Sequence, residues 1–66
     1  MCELKVIIEK EVKFENVIYA KSIENTVIVN DIMGRSMEFE NYKITEIDVT
    51  KELLILSPIS AQKQKN

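Results

Sequence analysis

The chain has 66 residues, a formal net charge of −2, a single cysteine and no histidine. This length accommodates one small domain with a thin core, and it excludes a two-domain enzyme. The absence of histidine excludes His-based metal sites and Ser-His or Cys-His nucleophile pairs, and one cysteine excludes a disulfide within the chain.

The apolar runs, the first residues and the net charge of the chain indicate its cellular location and its class of partner. The longest aliphatic run, Leu53 to Leu56, is far shorter than the roughly 20 residues that a membrane helix needs. The first residues lack the basic and apolar regions of an export signal. We therefore predict a cytoplasmic protein without membrane contact, whose lone thiol stays reduced. The negative net charge disfavours nucleic acid as a partner.

Alternating apolar and polar residues predict the first half of the fold. A strand is expected over residues 4–9. The stretch over 10–16 is compatible with a turn of helix or a bent strand and is interpreted as irregular. Strands over 17–22 and 26–31 form a tight hairpin, whose turn contains Glu24 and Asn25. Asparagine tolerates the left-handed backbone angles that such a turn requires.

The second half contains three more strand candidates. Gly34, the only glycine, predicts a positive φ in the turn before a strand over residues 35–39. The apolar positions of residues 42–49 change phase, which predicts a β-bulge near Thr45. A last strand over residues 52–56 ends at Ser57-Pro58, because proline cannot donate to a ladder.

These elements predict an all-β fold, a small antiparallel barrel or rolled sheet of about six short strands. Residues 1–57 form a single small β domain, and residues 58–66 form a polar tail that is predicted to be disordered. The predicted core consists of Leu4, Val6, Ile8, Val17, Tyr19, Val27, Val29, Ile44, Ile47 and Leu54.

Several apolar residues remain on the opposite pleat of the strands, and they are Ile7, Ile18, Ile28 and Ile55. A chain of this size forms a marginal monomer, because apolar burial barely offsets the entropy of ordering. Strands that are apolar on both faces therefore suggest that a second copy of the chain covers part of the surface. We expect a homodimer.

Charged and sulfur-containing side chains offer several weaker candidates for chemistry. Three pairs of carboxylates lie two residues apart and therefore share a strand face: Glu9/Glu11, Glu38/Glu40 and Glu46/Asp48. We interpret these pairs as parts of solvent-exposed faces rather than as acid/base pairs of an active site. A cluster of Lys10, Lys13 and Lys21 near Phe14 and Tyr19 is a candidate RNA contact. Met33 and Met37 are interpreted as packing or edge residues and not as ligands.

Cys2 has chemistry that an internal cysteine lacks. If Met1 is removed, Cys2 carries both an α-amine and a thiol, which close a five-membered chelate ring on a metal ion. Their ordinary pKa values, about 8 and about 8.5, allow both to lose protons to a metal near neutral pH. If Met1 is retained, the thiolate and backbone amides remain as ligands. The alternative is an inert small residue before the first strand.

A twofold axis that brings two copies of Cys2 together would give an S₂N₂ ligand set. This set suits square-planar Ni(II) or Cu(II), whereas Zn(II) prefers a tetrahedral set of thiolates or histidines. The single cysteine of the chain then supplies two thiolates to the assembly.

The chain resembles the CooT family, small nickel-binding accessory proteins associated with carbon monoxide dehydrogenase. The resemblance covers residues 1–57 and combines a Met-Cys start before a Lys-Val strand, an Asp-x-x-Gly turn and an Ile-x-x-Ile-Asp segment. The matching stretches are Met1–Ile8, Phe14–Val17, Val27–Gly34, Ile44–Val49 and Leu53–Leu56. The chain departs from the common pattern in having one glycine and a composition rich in aliphatic residues, lysine and glutamate.

The resemblance implies an all-β homodimer that binds Ni(II) through Cys2 of both chains at the dimer interface. It also implies a non-enzymatic role in nickel sequestration or delivery, with a nickel enzyme as client. Some relatives have been labelled RNA-binding proteins on the basis of their fold, so a small RNA-binding barrel is the alternative function. A purely structural subunit that binds neither ligand is the third.

Overall fold

The computed structural model describes residues 3–59, which form six strands. Their bounds are β1 Leu4–Ile8, β2 Glu11–Ile23, β3 Thr26–Asp31, β4 Ser36–Glu40, β5 Tyr42–Asp48 and β6 Leu53–Pro58. All six belong to one sheet with the order β4-β3-β2-β1-β6-β5. The described part of the chain contains no helix, so the predicted all-β class and strand number are confirmed.

The sheet is rolled but not closed. Strands β4 and β5 lie at opposite edges of the sheet, yet a single residue, Asn41, connects them. The sheet must therefore curl until its two edges approach each other at that residue. A rolled sheet is one of the two forms that the sequence predicted, the other being a small antiparallel barrel. One pair departs from the expected antiparallel pattern, because β1 and β6 run parallel.

The prediction of an irregular stretch over residues 10–16 was wrong, and of the two alternatives, a turn of helix or a bent strand, the structure contains the bent strand. Strand β2 begins at Glu11 and pairs with β1 over that stretch, with Val12 opposite Ile7 and Phe14 opposite Val6. Two register shifts interrupt this pairing, and Asn16 has a φ of 62°. Because the bulges break the alternation of apolar residues, the local sequence conceals a strand that pairing with β1 stabilises.

The hairpin of β2 and β3 is confirmed, and β3 has the predicted bounds. In its turn the left-handed residue is Glu24, with a φ of 52°, and not Asn25 as predicted. The bulge near Thr45 is also confirmed, as a register shift between Ile44 and Glu46. Strand β6 continues two residues beyond its predicted end, to Pro58.

The buried core largely matches the prediction. Its members are Val6, Ile8, Val17, Val27, Val29, Leu54 and Leu56, with Leu4 and Ile44 packed against them at its margin. Tyr19 was predicted to be in the core but is 47% exposed, because a register shift after Val17 aligns it with Asn30 on the outer face. Leu56 was not predicted to be buried.

Ile47 was also predicted to be in the core, and it is 56% exposed. The predicted face of the strand was correct, because Ile47 lies opposite the buried Leu54 and on the same face of the sheet. No element of the described chain covers it, since it lies near the end of β5. In the described range, 3–59, no helix is long and apolar enough to cross a membrane.

Candidate metal centre

The predicted ligand, Cys2, lies outside the described residues, which begin at Glu3. The fold that follows it in the chain is well defined. Leu4, the first residue of β1, lies opposite Val17 of β2. The Lys5 N–H donates to the Glu52 carbonyl at 2.9 Å. The start of β1 is therefore held between β2 on one side and the turn before β6 on the other.

The turn between β3 and β4 is organised by the buried carboxylate of Asp31. Its Oδ1 accepts the N–H groups of Met33, at 2.9 Å, and Arg35, at 2.8 Å. Its Oδ2 accepts from Nε of Arg35 at 2.7 Å. Gly34 donates its N–H to the Asp31 carbonyl at 3.1 Å with a φ of 87°, as predicted for the only glycine.

These contacts keep Asp31 ionised. Burial by itself raises the pKa of the Asp31 carboxyl, but the hydrogen bonds from Arg35 and Met33 outweigh it and hold the pKa below its usual value. Three donors occupy the two oxygens, and the Arg35 guanidinium balances their charge. Asp31 is therefore an anchor of this turn and not a free metal ligand.

Five exposed apolar side chains lie on segments that flank the start of β1, and we call this set the open rim. Its members and their exposed fractions are Ile18 57%, Ile32 46%, Met33 73%, Ile47 56% and Val49 55%. Scattered exposed apolar residues are normal on a protein surface, whereas a contiguous set marks an interaction surface.

Backbone hydrogen bonds place the segments that carry the open rim on both sides of β1. The Ile32 N–H donates to the Asn16 carbonyl at 3.0 Å, next to Val17 and thus beside Leu4. On the other side of β1, Glu52 accepts from Lys5 and donates its N–H to the Val49 carbonyl at 3.2 Å. The two halves of the rim therefore flank the residue at which β1 begins.

The described part of the chain offers no complete metal site of its own. Within residues 3–59, no three His, Cys, Asp or Glu side chains converge closely enough to hold a metal ion. The same residues enclose no pocket for a small molecule. Any metal centre that uses these residues would need ligands from outside them or from a second chain.

The carboxylate pairs found in the sequence behave as solvated or structural groups. Glu11 forms an ion pair with Lys13 at 2.9 Å, and this hydrogen bond lowers the pKa of Glu11 and raises that of Lys13. Asp48 accepts from the Thr50 hydroxyl at 2.6 Å and the Lys51 N–H at 3.1 Å, which lowers its pKa. Glu38 and Glu40 are exposed on the outer face of β4.

The lysines of the candidate RNA contact are spread along β2. Lys10 precedes the strand and Lys13 lies near its start, whereas Lys21 lies near its end, opposite Ile28. Lys13 is engaged by Glu11, and Phe14 packs against the core. The fold therefore does not gather these side chains into one basic patch.

The family of the chain follows from comparison with family models. The model described as CO dehydrogenase accessory protein CooT matches residues 1–57. The chain belongs to the CooT family. A search of curated proteins found no match. The family description assigns an accessory role beside CO dehydrogenase, a nickel-containing enzyme. Cys2 and the whole open rim lie within the matched residues.

The sequence singles out Cys2, which stays a prediction, but it does not point to the open rim. The leftover apolar residues were assigned to the second face of the strands, and only Ile18 of that set belongs to the rim. Ile32 gave no signal because it lies in a turn, where alternation does not apply. Val49 was predicted to end the strand over residues 42–49, whereas it lies in the turn after β5. Met33 was interpreted as a packing or edge residue, and at 73% exposure it is the most exposed member.

Proposed function

We propose that the chain forms a homodimer that binds Ni(II) through Cys2 of both subunits and serves as a non-enzymatic accessory protein for a nickel enzyme. The observation that carries this proposal is membership of a family described as accessory to CO dehydrogenase. Sequestration and delivery of nickel are both roles that an accessory protein of a nickel enzyme would perform.

The chemistry of Cys2 supports nickel as the cargo. An N-terminal cysteine, once Met1 is removed, offers a thiolate and an amine that together chelate a metal ion. Two such chelates give an S₂N₂ set, for which square-planar Ni(II) is suited. The chain contains no histidine, so a competing tetrahedral zinc site with imidazole ligands has no donors.

The open rim supports a dimer. A single small chain with five apolar side chains exposed around β1 gains stability when a second copy covers them. An interface with twofold symmetry contacts the same surface on both subunits, so the two β1 strands would begin close to the axis. A rim on either side of the β1 start is the arrangement that would bring two Cys2 residues together.

The first test is titration of the full chain with Ni(II) by calorimetry, with native mass spectrometry to report Met1 removal and assembly mass. We expect one Ni(II) per two chains. Cys2→Ser should lower the affinity about 100-fold or more, because a hydroxyl does not deprotonate near neutral pH. Equal affinity in the two proteins would refute Cys2 as the ligand.

The second test separates the dimer from the ligand. Val49→Glu places a charge on the open rim without changing Cys2, and it should shift the protein to monomer and weaken Ni(II) binding. Ile23→Glu is the matched control, because Ile23 is a comparably exposed apolar residue, at 45%, near the far end of β2. A Val49→Glu protein that remains dimeric with full affinity would rule out the open rim as the interface.

The pH dependence provides a third measurement on the same proteins. The thiol and amine must lose protons to bind a metal, so Ni(II) affinity should rise with pH through the neutral range. Proton release should accompany binding and be visible as a dependence of the measured enthalpy on the buffer. Binding that is independent of pH would point to carboxylate ligands instead.

A further inference from the structure

Strand β4 offers an edge that the described fold leaves free. It is the outermost strand on its side of the sheet and pairs only with β3, without any register shift. Two hydrogen bonds define which residues of β4 bond to β3. The Asp31 N–H donates to the Arg35 carbonyl at one end of the pair, and the Asn41 N–H donates to the Asn25 carbonyl at the other. In an antiparallel pair the bonding residues alternate. The N–H and C=O groups of Ser36, Glu38 and Glu40 therefore point away from the sheet.

The opposite edge of the sheet is protected. Strand β5 contains the bulge at Thr45, whose hydroxyl donates to the Ile55 carbonyl at 3.1 Å and lies 3.3 Å from the Ser57 hydroxyl. It also contains a lysine, Lys43. Bulges and lysines are the usual devices that prevent a strand from adding to an edge. Strand β4 has neither, and its own charged residues, Glu38 and Glu40, disfavour an acidic strand but not a basic one.

Charge defines what fits the β4 edge. Glu38 and Glu40 lie on the outer face of β4, and neither takes part in an ion pair within residues 3–59. Glu24 adds a third carboxylate nearby, since its neighbour Asn25 is bonded to Asn41 directly after β4. The basic residue before the strand, Arg35, is held by Asp31. The edge strand is therefore acidic without an ion-paired cation among the described residues, and Lys21, which shares this face, lies one strand further away, opposite Ile28.

A second copy of the chain is a poor occupant of this edge. Two β4 strands that pair antiparallel about Glu38 or Phe39, the registers that keep most of the strand paired, would bring their own carboxylates directly opposite each other, which is destabilising. A strand with lysine or arginine at alternate positions would instead face Glu38 and Glu40 and pair with the free backbone groups. Met37 and Phe39, on the other face, would receive its apolar positions.

The geometry points to the free edge of β4 as a docking site for an extended, basic segment of a partner protein, which adds to the sheet as a further strand. The added strand bonds to the backbone of Ser36, Glu38 and Glu40, and its basic side chains contact the carboxylates of Glu38 and Glu40. This site is separate from the open rim and does not depend on metal binding.

The test uses the full chain and a fluorescein-labelled synthetic peptide of alternating lysine and valine, with fluorescence anisotropy at low ionic strength. We expect saturable binding that weakens with salt. A peptide methylated on alternate backbone nitrogens, and one with glutamate in place of lysine, should each bind at least about tenfold more weakly. If the methylated peptide binds as tightly as the unmethylated one, the binding is a nonspecific electrostatic attraction without backbone hydrogen bonds, and the proposal is overturned.

Variants of β4 test the site itself. Glu38→Pro removes an outward N–H without breaking a bond to β3, so the fold should persist while binding falls about tenfold or more. Glu38→Gln keeps the N–H and should weaken binding about two- to threefold. Glu46→Gln, on the protected edge, is the matched control and should bind as the wild type does. Unchanged affinity of both Glu38 variants would overturn the proposal.

Removal of residues 60–66 tests the main competing occupant. This segment contains Lys63 and Lys65 and no acidic side chain. Unchanged peptide affinity in the shortened protein supports a partner segment as the occupant. A marked gain in affinity would show that the chain's own end competes for the edge, and it would overturn the assignment to a partner.

Discussion

Two asparagines mark the places where the rolled sheet changes direction, and the two places differ in what surrounds them. Asn16, with a φ of 62°, precedes the point at which β2 exchanges β1 for β3 as its partner. Asn41, with a φ of 66°, connects β4 to β5 across the gap in the sheet. We call these the Asn16 corner and the Asn41 corner. Both use the left-handed backbone that asparagine tolerates.

The Asn41 corner is closed. The Asn41 N–H donates to the Asn25 carbonyl at 2.6 Å, and its own carbonyl accepts from the Ile59 N–H at 2.8 Å. The rings of Phe39 and Tyr42 pack edge to face beside it, with centroids 6.3 Å apart. Three segments that are distant in the sequence therefore meet at one residue.

The Asn16 corner has comparable backbone order but an uncovered surface. Its carbonyl accepts the Ile32 N–H at 3.0 Å, and the turn beside it is anchored by Asp31. Ile18 and Ile32 nevertheless remain exposed. The comparison indicates that the open rim does not arise from a loosely built corner. An ordered backbone that displays apolar side chains is what a binding surface requires.

The largest effect is expected from removing the anchor of the Asn16 corner. Asp31→Ala removes the buried carboxylate and leaves the N–H groups of Met33 and Arg35 without their acceptor at part-buried hydrogen bonds. We expect the midpoint of thermal unfolding, followed by circular dichroism, to fall by about 10 °C or more. Asp48→Ala removes an exposed turn carboxylate and should lower it by only about 3 °C. Equal shifts would contradict the special role of Asp31.

The next largest effect is expected from substitutions of the two asparagines, which allow the two corners to be compared directly. Valine is strained at positive φ, so Asn41→Val should lower the free energy of unfolding by about 2 kcal/mol, measured by urea denaturation. Asn16→Val should cost about 1 kcal/mol, because that corner is less enclosed. Glycine substitutions at the same positions keep the backbone and serve as controls with little change. A larger loss at Asn16 than at Asn41 would reverse the comparison.

A smaller effect should appear as acid sensitivity of the Asn16 corner. The pKa of Asp31 is lower in the folded chain than its unfolded value of about 3.9. Its contribution to stability is therefore complete above pH 4 or so and is lost as the pH falls through the folded value. Asp31→Asn should flatten the fall of the thermal midpoint below about pH 4. An unchanged acid slope would show that other carboxylates govern it.

The sequence predicted the parts of this fold that depend on local pattern. The hairpin of β2 and β3, the left-handed Gly34 and the bulge at Thr45 all leave short-range signals, and all three are present. The start of β2 was missed because its apolar residues follow a bulged register that only pairing with β1 defines. The parallel pairing of β1 and β6 likewise joins the two ends of the chain and has no local signature.

The sequence singles out a chemistry for the candidate site, which stays a prediction, but it does not indicate the surroundings of that site. Cys2 could be singled out because its position gives it an adjacent amine, and the family match includes it. The open rim draws its members from three connected regions, β2, the turn after β3 and the end of β5. The exposure of Ile47 depends on whether another element covers the end of the sheet. The alternation of apolar residues along a strand does not contain this information.

The smallest effect concerns two glutamates in left-handed conformation, one near each corner. Glu24, with a φ of 52°, lies in the turn that contacts Asn41, and Glu52, with a φ of 60°, accepts the Lys5 N–H beside the open rim. Glycine at either position relieves backbone strain but adds unfolded-state entropy. We expect Glu24→Gly and Glu52→Gly each to raise the free energy of unfolding by about 0.5 kcal/mol in urea.

The position of the second glutamate makes this small change informative. Glu24→Gly should affect stability alone, because it is remote from the start of β1. Glu52→Gly should leave Ni(II) affinity within about twofold of the wild type, since only its backbone groups bond to Lys5 and Val49. If Glu52→Gly stabilises the fold but weakens Ni(II) binding strongly, its carboxylate belongs to the metal centre, and a ligand beyond Cys2 must be added to the site.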